Sequence, residues 1–284
     1  MGERLEVHDL NAIGRRLYEL NVDRTPVADA KTVSKALQDA SAQVPGHKFG
    51  EHFLRTEWDQ VVDAWQVDSW EAYRDVKRLG RKTRLPEKQR AVLWSIFHLV
   101  KQDLKFKKRV TFPEMFTRLS DKLNSGAKPP FGFAVVDESQ DIQVAQLRYL
   151  AALGKGRPNS LFFAGDLGQR IFQLPFSWKG LGVDIRGRST TLQVNYRTSH
   201  QIRTYADRLL GPEVSDVDGI GEKRKGTVSV FNGPIPTSRY SVRRKRKSSP
   251  WPSGSRNARR KDTRPMRLAC LSDRRRSWSG PRRR

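Results

Sequence analysis

Three carboxylates and a glutamine close the segment "FAVVDESQD", Phe133 to Asp141. An uninterrupted apolar run followed by acids is how the carboxyl end of a strand buried on both faces reads. In open α/β sheets, ligands and catalysts gather at such ends. A hard divalent cation such as Mg2+ takes oxygen ligands, usually one or two carboxylates with waters and phosphate oxygens. Asp137 suits that role through a water, and Glu138 is placed to take a proton from an attacking water. Gln140 and Asp141 lie one short turn further on, where they can report on the site. The same four residues also fit an acidic helix N-terminus, stabilised by the helix dipole.

A second apolar run, "LFFAGDLGQRIF", ends in Asp166, with Gln169 three residues later. Gly165 permits a tight turn there. A glutamine at this place can hydrogen-bond a terminal phosphate or the water attacking it. A third run, "TTLQV" (190–194), leads into "NYRTS", which supplies Tyr196 and Arg197. A guanidinium fork can neutralise charge growing on a transferring phosphoryl group, and the ring beside it can stack on a base. Arg197 fits a surface ion pair as well.

Elements must hold these residues in place. Residues 1 to about 125 read as mostly helical. Leu54, Trp58, Val61 and Trp65 share a helical face, continued by Trp70 and Tyr73, and further stripes run through Val92, Ile96 and Leu99 and through Phe116, Leu119 and Leu123. All of them read as core packing. After the punctuation "AKPPFG", strand 133–136, a helix carrying Val144, Leu147, Leu150 and Ala151, and strand "LFFAGD" imply a parallel α/β sheet. Ser199 opens a helix with Ile202, Tyr205, Ala206 and Leu209 on one side, and "TVSVF" at Thr227 is a further strand candidate.

Taken in order, "VVDESQD", "GDLGQRIF" and "LQVNYRTSHQI" resemble consecutive motifs of superfamily 1 DNA helicases of the UvrD/Rep type: the DExQD, GDxxQ and NYR boxes. The resemblance covers about Phe131 to Leu210 and extends loosely upstream through the tryptophan-rich helices, which look like the helical insertion of the first motor domain. It implies Asp137 at Mg2+, Glu138 as catalytic base and Gln169 as γ-phosphate sensor. It further implies Tyr196 at the adenine, Arg197 at the γ-phosphate, and Gln140, Asp141 and Asp166 around the nucleotide. Family members stack aromatics from the third box on single-stranded DNA, as base faces allow in any sequence. Phe172 and Trp178 are the candidates here. "QLPFS" separates them where many relatives have one residue, so Trp178 reads equally as core. Residues 5–17 resemble the family's early DNA-contact segment, with Asn11 where many relatives have histidine.

The resemblance implies ATP and Mg2+ as cofactors and DNA, mainly single-stranded, as partner. It implies the fold of a RecA-like P-loop NTPase motor domain with a parallel sheet, read here as incomplete. The phosphate-cradle pattern G-x-x-x-x-G-K-[ST] does not occur. "LGKGRPNS" from Leu153 is the nearest imitation, and it follows a helix. The chain is thus expected to begin inside the first motor domain and to hydrolyse little or no ATP alone. Two other readings stay open: a non-enzymatic nucleic-acid-binding remnant, and a fragment complemented by a separately encoded helicase piece.

Composition sets the frame. Of 284 residues only 36 % are hydrophobic, and the net charge is +25, which favours a polyanionic partner. Residues 239–284 hold 18 Lys/Arg against two Asp, a net of +16, leaving +9 for the other 238 residues. The expected organisation is 1–130 helical, 131–212 α/β core with the motifs, 213–238 linker or start of a second motor domain, and 239–284 a disordered basic tail. That tail reads either as a nucleic-acid arm or as the product of a frame shifted near Thr237. A different frame from Pro236 can encode an acidic helix-forming run and then an apolar strand, both similar to the family's second motor domain. One cysteine, Cys270, permits no internal disulfide and fits a reducing cytoplasm. The histidines lack metal-ligand spacing, no apolar run suits a bilayer, and no signal peptide opens the chain. The expectation is cytoplasmic, with no membrane partner.

Overall fold

The computed structural model describes residues 5–76, 78, 85–166, 175–208, 213–215, 217–219, 221–223, 226–237 and 267–271. They fall into two units, one drawn from Met1–Arg188, Asp216–Ile220 and Met266–Arg284, the other from Ser189–Ser215 and Gly221–Pro265.

The first unit opens with β1 (Leu5–Asp9) running directly into α1 (Leu10–Asn21). Asp9 makes that corner: its carboxylate accepts from the Ala12 N–H at 2.9 Å, satisfying one of the helix's unpaired donors. Leu10, Ile13, Gly14, Leu17 and Tyr18 recur at helical spacing and are buried. Gly14 is required for close approach, because a Cβ there would lie 2.6 Å from the Phe116 ring. That ring belongs to α7 (Phe112–Asn124), which Thr111 caps by accepting from the Glu114 N–H.

Between α1 and α7 lies a helical layer: α2 (Ala30–Gln43), α3 (Glu51–Glu57), a π-helical turn (Trp58–Val62), α4 (Asp63–Trp65), α5 (Trp70–Asp75) and α6 (Glu87–Phe106). Its own core joins Val33, Leu37, Leu54, Trp58, Tyr73 and Phe97. On α6 the buried stripe is Leu93, Ile96, Phe97, Val100 and Leu104, whereas Val92 and Leu99 of the expected stripe only flank it. Glu57 is fully buried against the Arg78 guanidinium at 2.6 Å and accepts from the Tyr73 hydroxyl, so its charge is compensated. After α4 the chain turns through Gln66 at φ 53°, and Trp65 packs against both this core and the next.

The second core lies under β2 (Phe133–Val136), α8 (Val144–Gly154) and β3 (Leu161–Phe163). β2 and β3 pair in parallel with Val136 opposite Phe163, as the strand–helix–strand reading expects. The sheet order is β1-β8-β2-β3, where β8 (Arg267–Leu271) is antiparallel to both its neighbours. β1, β2 and β3 therefore point the same way. β8 corrects the reading of 239–284 as wholly disordered: five of those residues form a strand inside the sheet.

A second correction concerns burial. β2 is not buried on both faces. Ala134 and Val136 are buried in one core with residues of α1, α7 and α8, while Phe133 and Val135 are exposed, as are Leu5, Val7 and Phe162 on the neighbouring strands. Side chains alternate across a strand, and among the described residues helices cover only one face.

The second unit holds β4 (Val194–Asn195) paired in parallel with β7 (Val228–Ser229), the hairpin-like pair β5 (Glu213–Ser215) and β6 (Gly221–Lys223), and α9 (His200–Asp207). The strand at 190–194 thus shortens to β4 and joins a separate two-stranded sheet instead of extending β2 and β3. Among the described residues no helix is long and apolar enough to cross a membrane.

Candidate functional site

At the carboxyl end of β2 the chain turns sharply. Glu138 adopts φ 53°, ψ 41°, a left-handed conformation that costs a residue with a Cβ about 1 kcal/mol or more. Its N–H donates to Asp137 Oδ1 at 2.9 Å, and the single 3-10 turn Ser139–Asp141 follows. With the chain so turned, Ser139 donates its N–H to Ala164 O at 2.8 Å, while Ala164 donates to Val136 O at 2.8 Å. The ladder between β2 and β3 is thereby carried past the strands into the motif residues.

Gln140, 7 % exposed, closes the arrangement. Its Nε2 donates to Glu138 Oε2 at 2.6 Å, and its Oε1 accepts from the Asp166 N–H at 3.1 Å. One amide orientation alone serves both bonds. Gly165 leaves the room: a Cβ there would lie 2.4 Å from Ser139 Oγ and 2.6 Å from Gln140 Oε1. Sequence reading assigned Gly165 to a tight turn; its role is close approach of the two strand ends.

Asp137, Glu138, Gln140, Asp141 and Asp166 are therefore brought together. Asp141 is held above the usual carboxylate range, first by burial and then by the negative charge of Glu138. Glu138 and Asp137 each keep one carboxylate oxygen without a hydrogen bond among the described residues. Those oxygens can receive a water proton and meet a hydrated cation. Among the described residues no group of three or more His, Cys, Asp or Glu could hold a metal ion.

Tyr196 and Arg197 belong to the second unit. Asn195, at the end of β4, was not singled out in the sequence, yet its Oδ1 accepts from the N–H groups of both Arg197 and Thr198 at 2.9 Å. This side-chain turn sets the backbone that presents Arg197, and the Asn-Tyr-Arg-Thr-Ser run carries its signal. Tyr196 is 75 % exposed, so its ring is open to a ligand. Ser199 stands at the N-cap of α9, as expected. Gln169 and Phe172 lie outside the described residues.

Trp178 is corrected. It is 6 % exposed and meets the Phe163 ring edge-on at 4.9 Å, so it is a core residue and not an open stacking platform. Asp218 fixes the turn around it by accepting from the Trp178 and Lys179 N–H groups at 2.7 and 3.0 Å. Asn11 likewise serves packing, accepting from Gln146 Nε2 at 3.0 Å and tying α1 to α8. The phosphate-loop imitation after Leu153 is a structural turn: Arg157 spans it, donating to Phe131 O at 2.8 Å and Gly132 O at 3.0 Å.

No protein-family model matches this chain, and no curated protein matches it.

Proposed function

We propose that this chain is an incomplete UvrD/Rep-type superfamily 1 DNA helicase, whose family activity is ATP hydrolysis coupled to 3′–5′ movement along single-stranded DNA. The observation that supports the reading most directly is the Gln140 bridge. It joins the second acid of the DExQD box to the aspartate of the GDxxQ box through two hydrogen bonds. Two motifs that the resemblance assigns to one nucleotide are thus linked through a side chain that only their joint geometry satisfies.

In this reading Asp137 stands to Mg2+ through a water and Glu138 takes the proton of the attacking water. Gln140 holds the Glu138 carboxylate, and Asp141 and Asp166 surround it. ATP, when bound, supplies the phosphoryl group, and its charge needs several donors. The sequence has no G-x-x-x-x-G-K-[ST] cradle to provide them. The chain alone is therefore expected to hydrolyse ATP at background rate. Addition of a polypeptide carrying that cradle is expected to restore DNA-stimulated hydrolysis, and Glu138→Gln to abolish it by 100-fold or more, on the order expected for losing a general base. Hydrolysis indifferent to Glu138→Gln would overturn the reading. A second reading, a nucleic-acid-binding module without catalysis, is favoured by the net charge of +25.

A further inference from the structure

The last two residues of α6 and the turn that follows it carry Lys105, Phe106, Lys107, Lys108 and Arg109, consecutive and all exposed. Phe106 is 88 % exposed. The turn is built rather than slack. Lys107 donates its N–H to Asp103 O at 2.9 Å, Lys108 to Lys105 O at 3.0 Å and Arg109 to Leu104 O at 2.9 Å, with Lys108 in the left-handed region at φ 51°. On its far side Val110 donates to Pro26 O at 3.1 Å and accepts from the Ala28 N–H at 2.7 Å. Leu104 and Val110, both buried, anchor the two ends.

Two acids answer these four cations. Asp103 pairs with Lys107 Nζ at 2.7 Å, and Asp29 feels Arg109 through space. Lys105 and Lys108 have no ion pair among the described residues. A benzyl ring held in water gains nothing from folding, and lysines around it disfavour burial against another protein, whose interface cores are poor in charge. Single-stranded nucleic acid uses both features at once: phosphates meet the cations and an unstacked base covers the ring.

We propose that the 105–109 turn is a single-stranded nucleic-acid contact, with Phe106 stacking on a base and Lys105, Lys108 and Arg109 meeting flanking phosphates. The site goes beyond the nucleotide reading and needs none of the strand-end carboxylates. An anionic membrane surface offers charge too, but one ring on a short rigid turn lacks the apolar area that interfacial insertion uses.

The test uses the full chain and two labelled strands of about 15 nucleotides, oligo-dT and an abasic strand of the same length, read by fluorescence anisotropy. The charges of the basic C-terminal region act on the phosphates of both strands, so the ring is read from the change in the affinity ratio between wild type and Phe106→Ala. The wild type is expected to prefer oligo-dT by about 5-fold or more. Phe106→Ala should lower the ratio by about 5-fold or more, with affinity for the abasic strand unchanged. Lys105→Gln/Lys108→Gln should weaken both strands and lower the salt slope by about 1.4. An equal affinity of the wild type for both strands, or a ratio unmoved by Phe106→Ala, overturns the proposal. So does binding to phosphatidylserine vesicles that needs Phe106 while oligo-dT binding does not. None of these outcomes touches the Glu138 test, so the two readings fail separately.

Discussion

Gln140 Nε2 lies 2.6 Å from Glu138 Oε2, and the opposite end of the same amide holds the Asp166 N–H. A single buried side chain thus fixes the conformation of one strand end and reads the position of the next. An amide can do this because it is donor and acceptor at once. A carboxylate in its place would confront Glu138 with like charge.

Gly165→Ala tests that arrangement. The new Cβ must displace Ser139 Oγ or Gln140 Oε1, which it would approach at 2.4 and 2.6 Å. The expected loss is about 1–3 kcal/mol in urea unfolding. Gln140→Ala should cost about 1–3 kcal/mol by removing its bonds to the Glu138 carboxylate and the Asp166 N–H. The two changes disrupt one contact, so the double variant should lose less than the sum of the singles. Additive losses would show that Gln140 and Gly165 act independently.

Asp63 sets a pH dependence for the first unit. Burial pushes its carboxyl up to about 7, against hydrogen bonds from Thr111 Oγ1 at 2.6 Å and Gln66 Nε2 at 2.7 Å, while Asp59 and Glu114 add like charge. The folded value lies above the unfolded one, so between about pH 4 and 7 the folded state binds more protons. Stability from this group is full below about pH 4 and falls as pH rises to about 7. The residue as a whole is half-buried, so screening by solvent limits the fall to roughly 1–2 kcal/mol. Asp63→Asn should flatten the unfolding free energy across that window, measured by urea melts at several pH values. A wild-type profile already flat there would contradict the assignment.

Trp178 separates packing from recognition. Its burial against Phe163 predicts that Trp178→Ala costs about 3–5 kcal/mol of stability. At temperatures where the variant stays folded, its preference for oligo-dT over an abasic strand should match the wild type. A specific loss of that preference in a stable variant would restore Trp178 to the nucleic-acid surface.

Local chemistry made much of this legible. Phe133–Val136 and Val144–Gly154 were readable because apolar runs and helical spacing are properties of neighbouring residues. The helix start at Ser199 and the strand-end acids were readable for the same reason. Exposure of Phe133 and Val135 was not, since a strand's pattern records its side chains and not whether a second layer exists to cover them.

The sequence by itself determined which residues can do chemistry: the acids and glutamine after β2, Asp166 after β3, the Tyr-Arg pair after β4, and the cations that favour a polyanion. The tertiary structure alone decided their company. Gln140 reaches Asp166 across 26 residues and ties it to Glu138, Trp178 turns inward, and the 190–194 segment joins a different sheet from β2. Hydrogen bonds and burial between distant segments depend on how close the backbones come, and a glycine such as Gly165 reveals that distance only once the strands are packed.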